Sequence, residues 1–378
     1  MMLLLQFDVQ SYEKEVKDSH FSLLFHNFVR KSLENNCQMI LLTGKEGLIH
    51  RTGKEIQNVF QNLFKQRGKW RREAAKLTPY YSGDAPRAQN VKKLIICMFD
   101  GRMHHGGLAD RLRGIVSTYY VCKQMEYDFR IHFVHPFCLE DFLVPNKVDW
   151  RIKEEEISYH IKDAAPMFCG SNGTLVEPGF QKLWLKKKFA EDYAQVHVYT
   201  NALLLPHGHR FHDLFEELFR PSKALEDALK QYMQPLSEGY YAITLRFQQL
   251  LGDFKEGQYT ILSSAEQQLL MDRCVTQIQK IYDAMNEKKT ILVTSDSSRF
   301  LQFVDNKLDY VYVVQGVVAH MDWQTNIPFD VNLKSFVDLL MISHSKCAYL
   351  LQTGKMYNSG FPRRAAQIGG IPFHHIRF

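Results

Sequence analysis

The run His104-His105-Gly106-Gly107-Leu108-Ala109-Asp110-Arg111-Leu112-Arg113-Gly114 crowds imidazoles, glycines, a carboxylate and guanidiniums into one short stretch. Glycines let a backbone approach a ligand closely, and a helix that starts behind them offers free N–H groups and a positive dipole to an anion. Asp110 is the first candidate for a base that takes a proton from a hydroxyl, His105 the second and Asp100 the third. The plainer alternatives are a tight turn without ligand, an Asp110–Arg113 ion pair, and histidines that only pack. A second group is Thr244-Leu245-Arg246-Phe247, followed by Gly252-Asp253. An arginine at a strand end presents a planar fork to a pyrophosphate, each charge-assisted bond contributing about 1.5–3 kcal/mol. Its plainer alternative is an Arg246–Asp253 pair. The third group is Thr294-Ser295-Asp296-Ser297 with Ser343-His344-Ser345, whose hydroxyls suit a nucleotide pocket or helix caps equally well.

These groups need strands and helices to hold them. Leu94–Phe99 is a continuous apolar run of strand length, as in a parallel sheet covered on both faces. A helical period from Leu108 to Tyr120 and a strand over Phe129–Val134 complete a βαβ unit. Val196–Tyr199 reads as a strand and Phe211–Leu218 as a helix. From Tyr240 onward the alternation is regular. Strands are predicted at Tyr241–Leu245, Thr290–Thr294, Tyr310–Val314 and Ala348–Gln352, with a last extended segment at Pro372–Ile376. Helices are predicted at Ala265–Met285, Ser298–Val304, Leu333–Ser343 and Pro362–Ile368. Such alternation implies doubly wound α/β domains, whose ligands bind beyond the carboxyl ends of the strands.

Upstream, Phe21–Leu33 and Ile56–Phe64 have amphipathic helical periods around a short apolar run at Cys37–Leu42, and Thr78–Pro86 has turn chemistry. The expected organisation is therefore a helical segment over 1–90 and two Rossmann-like domains, over 91–235 and 236–378. The two α/β domains face each other across a cleft.

With 378 residues, 45% hydrophobic and 23% charged, the chain has globular composition, which excludes long disorder and fibrous repeats. A net charge of +6 suits an anionic ligand without demanding nucleic acid. The 7 cysteines are scattered, with no CxxC pair, and read as reduced thiols of a cytoplasmic protein. No long apolar window is present to span a bilayer, and Met1–Phe7 lacks the basic flank and length of a signal peptide. The basic clusters Lys65–Arg72 and Lys186-Lys187-Lys188 read as solvated faces, or as a docking surface for anionic lipid at the inner face of a membrane. Thr43-Gly44-Lys45 and Thr52-Gly53-Lys54 lack phosphate-loop spacing and read as ordinary turns. No Asp-x-Asp, HExxH or EF-hand pattern occurs, so a metal ligand set is not expected.

Taken together, Gly106–Leu112, the strand ending in Arg246 with Gly252-Asp253, Thr294–Ser297, and Ser343…Ser359-Gly360-Phe361…Ala365-Ala366…Gly369-Gly370-Ile371-Pro372 resemble a known family. It is the GDP-fucose-dependent fucosyltransferase clan (α-1,2, α-1,6 and protein-O-fucosyl enzymes), here of bacterial type. The resemblance spans about residues 94–134 and 240–378. The family strand usually reads His-x-Arg-Arg-x-Asp. Here it reads Thr244-Leu245-Arg246-Phe247, with one arginine and the acid displaced to Asp253.

The resemblance implies a GT-B fold and inverting, metal-independent transfer of fucose from GDP-fucose to an oligosaccharide or glycolipid hydroxyl, with no further cofactor. It makes residues 91–235 the acceptor side and 236–378 the donor side. By the same resemblance Arg246 holds the β-phosphate, and Thr294–Ser297, with Asp253 nearby, and Ser343–Ser345 hold nucleoside and phosphate. His104, Gly106, Gly107 and Arg111 line the substrate side. Two alternatives stay open: the same fold with another nucleotide sugar, or a nucleotide- or sugar-binding protein without turnover.

Overall fold

The computed structural model describes residues 3–6, 39–42, 48–51, 68–87, 93–170, 185–205, 211–254, 260–318 and 327–378. Contacts divide the chain into Met1–Glu73 and Ala74–Phe378. In the first unit, β1 (Leu3–Gln6) pairs parallel with β2 (Met39–Leu42), which pairs antiparallel with β3 (Leu48–Arg51). Strands β1 and β3 go beyond the expected helical segment, in which the short apolar run at Cys37–Leu42 is the one candidate strand; Leu3-Leu4-Leu5 is the same kind of short continuous apolar run. The helices expected at Phe21–Leu33 and Ile56–Phe64, the two Thr-Gly-Lys turns, and Lys65 and Arg67 lie outside the described residues.

The second unit holds two parallel sheets. The first is built from β4 (Leu94–Phe99), then α1 (Leu108–Met125), β5 (Asp128–Phe133), a short β6 (Leu143–Pro145), β7 (Ala164–Cys169) and β8 (Gln195–Thr200). Its strand order is β5-β4-β8-β7, all parallel. Every residue of β4 is buried, as its unbroken apolar run requires at the centre of a parallel sheet. Strand β7 was not foreseen because Pro166 interrupts its pattern; a proline is tolerated there because β7 is an edge strand. Helix α2 (Phe211–Leu218), β9 (Phe219–Pro221) and α3 (Lys223–Met233) follow, and β9 pairs antiparallel with β6.

The second sheet runs through β10 (Tyr241–Leu245), α4 (Ser264–Ala284), β11 (Ile291–Ser295), α5 (Ser298–Asp305), β12 (Val311–Tyr312), α6 (Phe329–Ser343), β13 (Ala348–Gln352), α7 (Phe361–Gly369) and β14 (Phe373–Arg377). Its order, β12-β11-β10-β13-β14, is parallel throughout, the doubly wound pattern. Met271, Cys274 and Ile278 of α4 and Phe300, Leu301 and Val304 of α5 close one face over Ile243, Ile291 and Val293. The terminal strand extends one residue beyond the expected Ile376, to Arg377.

Both sheets therefore contain a point where the chain reverses its direction of strand addition: between β4 and β8, and between β10 and β13. Crevices open at such points, outside the carboxyl ends of the strands. Helix α7 packs on α1 and α2, and α6 packs on α3. Phe142 stacks on Phe336 at 4.6 Å and on Phe329 at 5.0 Å, while Phe137 meets Phe336 edge-on at 5.6 Å. No described helix is long and apolar enough to cross a membrane.

Candidate functional site

At the β10–β13 reversal, Arg246 follows the last residue of β10, and its Nε lies 3.3 Å from Asp296 Oδ2, just beyond β11. The acid beside this guanidinium is Asp296, where the plainer alternative weighed from the sequence was Asp253. Asp296 also accepts the backbone N–H of Phe247 at 2.8 Å and of Gln248 at 2.7 Å. Gln248 has φ +54°, a left-handed conformation that a non-glycine residue holds only when its surroundings fix it. The carboxylate of one strand end thus clamps the turn that carries the guanidinium of its neighbour. Burial pushes the Asp296 carboxyl up, opposed by the Arg246 charge and then by the two backbone N–H groups. Arg246 also lies over the Phe254 ring, 4.6 Å from its centroid, and keeps 17% of its side chain exposed. Its carbonyl accepts the N–H of Tyr357, tying it to the loop that enters α7.

Asp253 instead accepts the Ser297 hydroxyl at 2.9 Å and the Arg299 N–H at 2.8 Å. Ser297 caps α5 by accepting the N–H of Phe300 at 3.0 Å. Thr294 Oγ1 pairs with Thr244 Oγ1 at 2.8 Å, and Ser295 Oγ accepts the Ser297 N–H at 3.1 Å. This turn therefore sits where the sequence placed it, with its hydroxyls engaged in bracing and capping.

Ser343, His344 and Ser345 are not brought to the site. They connect the end of α6 to the start of β13, so they lie at the amino edge of the sheet, opposite Arg246. Ser343 and Ser345 donate to Leu340 O and Ile342 O, and His344 Nδ1 lies 2.6 Å from Leu340 O. Their polar groups finish a helix, which corrects the donor-binding expectation.

At the β4–β8 reversal, Asp100 accepts the Tyr199 hydroxyl at 2.8 Å and the Arg102 N–H at 3.0 Å. Gly106 has φ +85°, and a Cβ there would lie 2.6 Å from Asp110 Oδ2, so this turn admits only glycine. Gly107 is the N-cap of α1 and brings no side-chain cap; His104 is exposed. Two further expectations are corrected. His105 is 1% exposed, its ring 4.4 Å from that of Phe99 and 5.9 Å from that of Tyr199. Burial, then the Arg111 charge, holds its pKa well below the ordinary value, so it is a neutral core imidazole out of reach of an acceptor. Arg111 is buried and donates to Gly106 O at 3.0 Å and His135 O at 2.9 Å, which makes it a brace of the loop.

Asp110 is 40% exposed and pairs with Arg113 Nη2 at 2.8 Å, the ion pair weighed from the sequence. Arg113 also donates to Asn201 O beyond β8. Alongside them stands a residue that the sequence reading missed, Arg364 in the first turn of α7. It is 5% exposed and packs over the Phe211 ring at 4.6 Å. Burial first, then the Arg113 charge, pulls its pKa down to about 9, with Asp110 acting the other way. The available signal was Arg363-Arg364 in a helix's opening turn, where the dipole disfavours cations. Among the described residues no cluster of His, Cys, Asp and Glu could hold a metal ion.

No family profile matches the sequence, and no curated protein does. Among solved structures the chain is similar to NodZ α-1,6-fucosyltransferase co-crystallised with GDP, at 11% identity and TM-score 0.48, covering 73% of this chain and 92% of that one. It is similar to a point mutant of Arabidopsis thaliana FUT1 in complex with GDP, at 13% identity and TM-score 0.48, covering 79% and 72%. It is also similar to POFUT1 in complex with GDP, at 12% identity and TM-score 0.43, covering 77% and 99%.

Proposed function

We propose that the protein is an inverting glycosyltransferase of GT-B arrangement that moves fucose from GDP-fucose to a glycan hydroxyl without a metal ion, in surface-polysaccharide or glycan assembly. The observation that carries this reading is Arg246, a partly exposed guanidinium held by a buried carboxylate beside the switch point of a doubly wound sheet. A cation fixed there can meet the charge that develops on a departing nucleoside diphosphate, electrostatic stabilisation that needs no reorganisation. The identity of the sugar comes from the sequence motifs.

On this reading residues 236–378 bind the donor and 91–235 face the acceptor. Asp110, at the start of α1, takes the proton from the attacking hydroxyl as the C1–O bond to phosphate breaks. Acceptors are oligosaccharides or glycolipids, met in the cytoplasm or at the inner face of a membrane.

The test is to incubate the full chain with a panel of nucleotide sugars, with and without EDTA, and to measure released nucleotide. GDP release from GDP-fucose that survives EDTA is the expected result. Release from UDP-sugars alone would remove fucose, and no release from any donor would leave a binding protein.

A further inference from the structure

We propose that Arg364, in the first turn of α7, and Arg113, on the α1 helix that packs against it, form an oxyanion site that takes a phosphate group of a substrate. Arg364 uses one guanidinium nitrogen on Gln367, at 2.5 Å, while its Nε is buried with no hydrogen-bond partner. Such an orphan donor costs the native state stability unless a ligand accepts from it. The charges acting on Arg364 are those of Arg113, Asp110 and Arg363. One carboxylate among three guanidiniums leaves a cationic surplus, and Asp110 is already committed to Arg113 at 2.8 Å.

The helix adds to this surplus. Nothing acidic stands in the first turn of α7, its N-cap Gly360 supplies no side-chain acceptor, and its backbone N–H end carries the positive pole of the dipole. A structural role alone would favour an acid in that turn. Guanidinium fork, helix start and missing counter-charge all call for the same occupant, a phosphate oxyanion. Arg364 lies on the element after β13 and Arg113 on the element after β4, so the site joins the two reversal points. The phosphate can therefore belong to the diphosphate of a donor or to a phosphate carried by an acceptor. The proposal stands whichever sugar is transferred.

Inorganic pyrophosphate is the probe, titrated calorimetrically into the full chain with thermal unfolding run in parallel. The wild type is expected to bind pyrophosphate and gain Tm; Arg246→Gln, which lacks the other guanidinium placed on a diphosphate, should bind one pyrophosphate and is the background in which the remaining variants are made. Arg364→Gln should weaken binding at least about tenfold and abolish the Tm gain, without lowering the Tm of the unliganded protein. Arg364→Lys should restore part of the affinity, and Lys346→Gln, on an exposed pair with Glu287, should change nothing. Should Arg364→Gln not fold, Arg113→Gln is expected to weaken pyrophosphate to a similar degree.

Wild type that ignores pyrophosphate, or folded Arg364→Gln or Arg113→Gln that binds it normally, overturns the proposal. GDP that displaces pyrophosphate assigns the site to a donor; both bound together assign it to an acceptor. Failure to turn over GDP-fucose with Arg364-dependent pyrophosphate binding intact would sink the proposed function and leave this site. The reverse result would do the opposite.

Discussion

Replacing Arg246 with glutamine separates a phosphate-holding guanidinium from a structural one. Arg246 sets its Nε 3.3 Å from Asp296 Oδ2 and keeps 17% of its side chain open to solvent, so a diphosphate can reach the guanidinium. Two charge-assisted bonds at about 1.5–3 kcal/mol each, less about 1 kcal/mol for the neutral bond that glutamine can still make, give a loss of about 2–5 kcal/mol. That corresponds to about a 30- to 5,000-fold fall in kcat/KM for nucleotide release from GDP-fucose. Affinity for GDP should fall with it while affinity for guanosine holds, because only the phosphates meet the guanidinium.

The fold supplies a second readout. Removing the cation pushes the already raised Asp296 carboxyl further up. A group whose folded pKa is raised contributes stability at acid pH that is lost as pH rises through that pKa. The stability deficit of Arg246→Gln should therefore be larger at pH 8 than at pH 5 in urea unfolding. A folded variant whose kcat/KM stays within about threefold of wild type would refute the phosphate role.

Three other outcomes follow from the same geometry. Asp110→Asn should lower kcat by about 100-fold or more without weakening GDP affinity and at a cost of under about 1 kcal/mol of stability, since its pair with Arg113 is partly exposed; unchanged turnover would remove it as the base. Gly114→Ala puts a methyl 2.2 Å from the Thr200 carbonyl oxygen, so it should destabilise by about 1–3 kcal/mol in denaturant melts, against the gain of roughly 0.5–1 kcal/mol usual for such a change within a helix. His197, at about 3, and His105 are both held neutral by burial; a lowered pKa gives stability present above the unfolded value and lost as pH falls below it, about 2 kcal/mol for His197 between pH 7.5 and 5 with His105 adding in the same direction, and a flat urea profile would contradict this.

What the sequence revealed depended on how local the cause was. Tyr241–Leu245, Ala348–Gln352 and Leu94–Phe99 match the structure residue for residue, because strands covered on both faces are predominantly apolar, Leu94–Phe99 without interruption. Phe211–Leu218 matched because its apolar residues at three- and four-residue spacing face the core. Strand β7 was hidden by Pro166. Partners far apart in the chain were hidden too: nothing near Arg246 points to Asp296 in preference to Asp253. The misplaced Ser343–Ser345 is a different case, since connectivity sufficed. In a parallel sheet a turn leading from helix to strand lies at the amino edge, away from ligands.

The carboxylates at the two reversal points divide by access. Asp100 keeps 5% of its side chain exposed and Asp296 only 1%, and each is occupied by donors from a neighbouring strand or turn. Both are anchors: they hold the loops that carry Arg102 and Arg246, and a proton acceptor so enclosed meets no incoming hydroxyl. Asp110 has 40% exposure and pairs with Arg113, itself partly exposed. A base must reach the proton it removes, so access ranks Asp110 above Asp100 before any question of acidity arises. In the proposed mechanism the same pairing links Asp110 to the Arg113–Arg364 pair. On the proposed reading, a phosphate that draws Arg113 toward Arg364 would release Asp110 from its ion pair, leaving the carboxylate open to the acceptor hydroxyl when substrate is in place.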